Sequence, residues 1–303
     1  MKSVTVRVPA TSANLGAGFD SLGLALNLYH VITLSEADHT RILVGKREQK
    51  EDENKNLILK AARAVYEKAG APLPGGFFLR QNSRIPSARG LGSSAACIAG
   101  GLLAANRLLG DPLDLQTLLE IGVSMEGHPD NLVPAFLGGF CVSAWREGKV
   151  LYKRCALKRR LRFVVMIPEV RMKTGQSRAV LPEMFSREDC AFQLAGAALT
   201  SAAFFSGDYS LLRRATEDRL CSPCRLPLIP AGDRLEQMAL DSGAVFSTIS
   251  GSGSTILALF DQPGQAPDNL VKAVKEADFP VTVRAHLLRG DNRGAQFLLS
   301  EEM

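Results

Sequence analysis

Gly90, Gly92, Ser93 and Ser94 stand together in Pro86-Ser-Ala-Arg-Gly-Leu-Gly-Ser-Ser-Ala-Ala96, where a Gly/Ser turn runs straight into a helix start. The glycines permit positive φ and close backbone approach, and the serines are placed to cap the helix. Ala95, Ile98, Ala99, Leu102, Ala105, Leu108 and Leu109 extend it with an apolar stripe at helical spacing until Gly110 stops it. An oxyanion at this mouth would meet free backbone N–H groups and the positive end of the helix dipole. Pro86, Ser87, Ala88, Arg89, Gly90, Leu91, Gly92, Ser93, Ser94, Ala95 and Ala96 therefore form the expected nucleotide-phosphate segment. No Lys follows the glycines and no complete G-x-G-x-x-G is present, so the loop is neither a Walker A nor a dinucleotide fingerprint. Triphosphate charge must then be met by a divalent cation, the helix dipole, hydroxyls and residues from elsewhere.

Two further blocks share this composition, Pro9-Ala-Thr-Ser-Ala-Asn-Leu-Gly-Ala-Gly-Phe-Asp-Ser-Leu-Gly-Leu-Ala-Leu26 and Ser250-Gly-Ser-Gly-Ser-Thr255. The three together resemble the GHMP kinases, small-molecule kinases with a Pro-x-x-x-Gly-Leu-Gly-Ser-Ser loop in place of a Walker A. The first block is similar to the homoserine kinase branch, as is Gly127-His-Pro-Asp-Asn131 followed by Gly138-Gly139. The acidic Gly-Glu-His type motif typical of galactokinases and mevalonate kinases is absent. The resemblance implies ATP-dependent phosphorylation of the side-chain hydroxyl of L-homoserine to O-phospho-L-homoserine, on the route to threonine. Another GHMP-type kinase, or a non-catalytic nucleotide-binding relative, is the alternative.

Roles for individual residues follow from the same resemblance. Ser94 and Glu126 match the pair that holds Mg²⁺, a hard cation for which one carboxylate and one hydroxyl suffice beside water. Glu120, six residues earlier and on a different helix face, is the other acid available; the family pattern of Glu-Gly before His-x-Asp-Asn favours Glu126. Asp20 matches the aspartate that receives the substrate ammonium, with Asn14 the neighbouring amide. Arg178 and Arg225 match the two arginines that take the carboxylate, a task suited to a guanidinium fork. His128 and Asn131 correspond to residues lining the hydroxyl end, and Asp130 to a base used by some GHMP kinases. The sequence fixes no acid partner for His128. Ser254 replaces the usual Pro before Thr255, which predicts a looser third turn.

The elements that must position these residues mix without strict βαβ alternation, which indicates an α+β fold. Val4, Val6 and Val8 alternate with polar residues as a strand, followed by strands over 25–34 and 40–44 and a helix over 56–69. Phe77–Leu79 is a strand leading into the phosphate loop, and Asp111-Pro112 reads as N-cap and first position of a helix ending near Gly127. A hairpin over 137–145 and 150–152 closes the first half. The second half opens with a buried strand over 161–167. Helices are expected over 188–205, 208–218, 233–241 and 268–277, and strands over 245–249, 255–260 and 281–288. The family fold implies a phosphate-loop, ATP-binding N-terminal domain at residues 1–155, a ferredoxin-like C-terminal domain at 156–303, and an active site between them.

Composition narrows the partners. Hydrophobic content of 46% and charged content of 22% are those of a globular chain, and no apolar stretch is long enough to span a bilayer. A net charge of +5 suits anionic ligands without identifying one. The basic run Lys153-Arg154 and Lys158-Arg159-Arg160-Leu-Arg162 lacks interleaved aromatics, so it reads as a solvated connector face and no nucleic acid is expected. Six scattered cysteines read as reduced thiols of a cytoplasmic protein, and Cys221-Ser-Pro-Cys224 has no second ligand pair for zinc. A homodimer is compatible with these residues.

Overall fold

The first two strands of the computed structural model, which describes residues 2–49, 52–262 and 264–298, are buried over most of their length. β1 (Ser3–Ala13) buries Val4, Val6 and Val8 and runs antiparallel to β2 (Leu22–Ala37), with a register shift between Pro9 and Ala10. β2 is longer than the expected 25–34 because its ladder with β1 continues to Ala13↔Gly23. β3 (Arg41–Val44) and β4 (Arg47–Gln49) form a small hairpin. α1 (Leu57–Ala69) starts where the Asn56 side chain accepts from the N–H groups of Ile58 and Leu59, and ends at Gly70 in the left-handed region. β5 (Gly76–Ser83) delivers the chain to the phosphate loop. α2 (Ser93–Leu108), α3 (Leu115–Glu126) and the short α4 (Leu132–Leu137) follow, then the hairpin β6 (Phe140–Arg146) and β7 (Lys149–Cys155).

The chain then passes to β8 (Arg162–Pro168), α5 (Thr174–Ala179), α6 (Arg187–Ser206), α7 (Leu212–Ala215), α8 (Ser222–Arg225) and α9 (Gly232–Asp241). β9 (Phe246–Ile249), β10 (Ile256–Phe260), α10 (Ala266–Glu276), β11 (Val283–Leu288) and β12 (Gln296–Leu298) complete it. The order β11-β8-β10-β9, all antiparallel, is that of a ferredoxin-like sheet. The first sheet runs β12-β1-β2-β5-β3-β4, and β2 shares its second edge between β5 and β6.

Residues 155 and 156 lie where the chain leaves the first sheet for the second, while β12 returns to pair with β1. Both faces of the second sheet are covered. Phe163, Val165 and Ile167 of β8 enter the large core of the first sheet and its helices, whereas Val164 and Met166 join a second core with Leu235, Ala239, Leu270 and Val274. Among the described residues no helix is long and apolar enough to cross a membrane.

Four local expectations are corrected. Ser93 and Ser94 do not cap α2; its N-cap is Gly92, left-handed at φ 66° and without a side-chain bond, because the Ser94 hydroxyl is used elsewhere. α3 is capped by Asp114, whose side chain accepts from the Thr117 N–H at 2.8 Å, and not by Asp111. Asn106 bonds both backbone groups of Leu113, and this fixes 111–113 as a turn. The expected helix over 208–218 shrinks to α7, and residues 132–137 form α4 ahead of the hairpin strand.

Candidate active site

The three Gly/Ser blocks meet. The Ser250 hydroxyl donates to Gly90 O at 2.6 Å, with Ser12 Oγ 2.7 Å away. Thr255 N donates to Arg89 O, Gly251 N to Ala13 O and Thr11 N to Leu91 O. Packing is close enough that a Cβ on Gly90 would lie 2.0 Å from Ser250 O, and one on Gly92 would lie 1.9 Å from Thr11 Oγ1. Both glycines also have positive φ, so steric fit and backbone conformation exclude side chains at each. In the third turn Ser254 is fully buried, and its Oγ lies 2.8 Å from both Pro168 O and Val170 O, which ties the turn to the end of β8 and the segment after it.

A cavity of about 330 Å³ opens between these blocks, and the expected residues Asn14, Asp20, Ser94, Glu126, His128, Asp130, Asn131, Arg178 and Arg225 all line it. At the α2 end, Ser94 Oγ donates to Glu126 Oε1 at 2.5 Å. Glu126 is the last residue of α3, where the helix dipole disfavours a carboxylate. Burial pushes its pKa up, opposed by the Ser94 hydrogen bond and by His128. A carboxylate placed unfavourably on both counts, with a hydroxyl beside it, is a donor set suited to a hard divalent cation. Glu120 accepts from Gln116 Nε2 at 2.8 Å and does not line the cavity.

His128 finds its partner in Asp130, two residues on, at 2.5 Å between Nδ1 and Oδ1. Burial lowers the imidazole pKa, but the Asp130 hydrogen bond and charge, helped by Glu126 and Asp20, more than offset it, so the net shift is upward. Buried Asn131 accepts through Oδ1 from Thr11 Oγ1 at 2.7 Å, which leaves its amide N–H groups to donate. Asp20, His128 and Asp130 each bring one ligand atom within 4.8 Å of the others, joining the two ends of the cavity.

At the other end, Arg178 Nη2 lies 2.5 Å from Asp20 Oδ1. Asn14 holds the Asp20 turn: its Oδ1 accepts from Asp20 N at 3.1 Å, and its Nδ2 donates to Gly251 O at 2.9 Å. Arg225, only 3% exposed, donates from Nε to Ser177 O and from Nη1 to Gly251 O. Of the phosphate segment, Ser87, Ala88, Arg89, Gly90, Gly92, Ser93 and Ser94 reach the cavity; Pro86, Leu91, Ala95 and Ala96 do not line it. Partial burial, with Arg171 and Arg284 nearby, pushes the Arg89 pKa down, a sign of the positive field around the loop.

Phe19, Cys97, Met172, Lys173 and Thr174 also line the cavity and are not singled out by the sequence. Phe19 was within reach of that reading, since it precedes Asp20 in the first block. Its ring centre lies 5.1 Å from the Arg178 guanidinium carbon and 5.3 Å from that of Arg225. Cys97 sits one turn into α2 behind Ser93, and Lys173 is the exposed, extended residue just ahead of α5, with no local signature.

The GHMP kinases N terminal domain model matches residues 56–139, and the GHMP kinases C terminal model matches 200–278. A homoserine kinase of Caldicellulosiruptor bescii is 38% identical over 296 residues, covering 96% of each chain. One of Moorella thermoacetica is 42% identical over 255 residues, covering 84% of this chain and 86% of that one. The crystal structure of homoserine kinase from Cytophaga hutchinsonii superposes with a TM-score of 0.84 at 27% identity, over 98% of both chains. Likeness of this extent in sequence and in fold makes the chain a member of the homoserine kinase family, within the GHMP kinases.

Proposed function

We propose that the protein transfers the γ-phosphoryl group of ATP to the side-chain hydroxyl of L-homoserine, giving O-phospho-L-homoserine and ADP. One observation carries the reading: a single cavity has a phosphate loop and the Ser94–Glu126 pair at one end, and a carboxylate with two arginines at the other. That second end suits the ammonium and carboxylate of an amino acid.

The γ-phosphate is placed at the mouth of α2, where the unbonded first-turn N–H groups and the Gly90–Gly92 backbone face the ligand. Ser94 and Glu126 would hold Mg²⁺, which when bound would neutralise triphosphate charge. Arg225, fixed by two carbonyls, anchors the substrate carboxylate, and Asp20 takes the ammonium. The hydroxyl then points toward His128, Asp130 and Asn131. Asp130 is already engaged by the His128 proton, which makes it a poor free base. Alignment by Asn131 and His128 thus carries the reaction: the hydroxyl oxygen bonds to the γ-phosphorus as the bond to the β,γ-bridging oxygen breaks and ADP leaves, and the hydroxyl proton passes to an oxygen of the transferred phosphoryl group. No reading of this site requires a nucleic acid or a membrane.

ADP release measured with L-homoserine, mevalonate, galactose and L-threonine as acceptors tests the assignment. L-Homoserine should dominate; a dominant mevalonate or galactose rate would refute it. Glu126→Gln should lower kcat on the order of 10²-fold with L-homoserine binding intact, while Glu120→Gln should leave turnover near normal. The reverse pattern would move the cation to Glu120.

A further inference from the structure

We propose that the hollow between β1 and the bend leading into β12 is a second phosphate site, separate from the catalytic cavity, in which Arg7 and Arg293 hold the anion. The hollow has a volume of about 310 Å³ and is lined by Arg7, Arg293, Gln296, Phe297 and Leu298. None of these five lines the catalytic cavity. The Arg7 guanidinium carbon lies 4.6 Å from the centre of the Tyr29 ring on the neighbouring β2. Arg7 Nε is buried and has no hydrogen-bond partner among the described residues. A buried donor without an acceptor carries its full desolvation cost, which an arriving oxyanion recovers.

The nearby carboxylate does not fill that place. Asp291 accepts from the Tyr29 hydroxyl through Oδ2 at 2.8 Å, and through Oδ1 from the N–H groups of Arg293 and Gly294 at 2.8 and 2.7 Å. Neither Arg7 nor Arg293 has an ion-pair partner among the described residues. Burial and then Asp291 push the Tyr29 hydroxyl up to about 12, while Arg7 and Arg293 both pull it down, so the two cations surround one phenol. Arg107 covers the Phe297 ring at 4.2 Å but is already paired with Asp111. Gln296 Nε2 donates to Arg293 O and Ala295 O, which holds the bend that carries the second guanidinium. A carboxylate fills one guanidinium fork; a phosphate group, with three acceptor oxygens and up to two charges, can fill two.

Titration calorimetry with inorganic phosphate at fixed ionic strength, with the catalytic cavity filled by Mg²⁺ and the β,γ-imido analogue of ATP, tests the site. Wild-type protein should bind phosphate saturably, and the Arg7 Nε–H resonance should move downfield as it does. Acetate should bind at least about tenfold more weakly. Glycerol 3-phosphate distinguishes the source: tighter binding than phosphate identifies an organic ester, weaker binding the free ion. Arg293→Met, on the exposed bend, should weaken phosphate binding by about tenfold or more. Arg7→Lys, which keeps the charge and removes the fork, should do the same. Arg213→Met, at an exposed arginine elsewhere, should change nothing. Circular dichroism reports the fold of each variant, and if Arg7→Lys does not fold, Arg293→Met decides alone. The proposal falls if wild-type protein shows no saturable binding, if acetate matches phosphate, if Arg293→Met binds as wild type, or if Arg213→Met loses as much.

Discussion

Ser94 illustrates how one hydroxyl settles two questions at the residue scale. As a cap it would have satisfied backbone N–H groups of α2; facing Glu126, it leaves them for a ligand and brings the carboxylate to the loop. The sequence shows Ser94, Glu126, Arg178 and Arg225 through motif matches, but it cannot show which partner each takes. His128 and Asp130 are two residues apart, and only the Pro129 turn brings Nδ1 onto the carboxylate. His30 was silent in the sequence for a similar reason. It is 2% exposed on β2, and burial lowers its pKa from 6.5 to about 4. A folded-state pKa below the unfolded one means that the unfolded chain binds the proton first. Stability is then full above pH 6.5 and declines as pH falls toward 4, by about 3 kcal/mol for this group. Denaturant unfolding of wild-type and His30→Gln proteins from pH 7.5 to 4 should show the variant losing less over that window. Parallel curves would assign the acid loss to other groups.

Elements were legible where periodicity was long. α1, α2, α6 and the strands β1, β8 and β10 lie close to where their apolar patterns put them, since a sustained face leaves few alternative registers. Short pieces were not. α4, α5, α7 and α8 have four to six residues each and are held by the tertiary structure around them. The start of α3 shows how competing signals mislead: Asp111-Pro112 and Asp114 both fit an N-cap, and Asn106 decides by locking the turn between them. Asp114→Ala should therefore cost about 1 kcal/mol of unfolding free energy, whereas Asp111→Ala, which loses an exposed ion pair to Arg107, should cost less than about 0.5. Equal losses in thermal denaturation would return the cap to Asp111.

At the scale of the molecule, β8 and β10 each serve two cores, odd residues facing one and even residues the other. Phe204 of α6 stacks on Phe140 of β6 at 4.2 Å, so the second half of the chain also packs into the first. A motif-based division near residue 155 marks where the sheets change, yet the apolar surfaces on either side complete one another. Scanning calorimetry should accordingly give one transition with calorimetric and van't Hoff enthalpies equal. Two resolved transitions would show that the halves unfold independently.

The pairing of β12 with β1, Thr5 opposite Leu298 and Arg7 opposite Gln296, also sets a timetable. During synthesis β1 leaves the ribosome early and its outer neighbour very late, an interval of roughly 15 to 60 s at ordinary elongation rates. Throughout it the nascent protein carries an unpaired strand edge, the kind of surface that invites strand addition by another chain. Crowded polysomes are thus where this protein is most exposed to mispairing, and slowing translation lengthens that exposure.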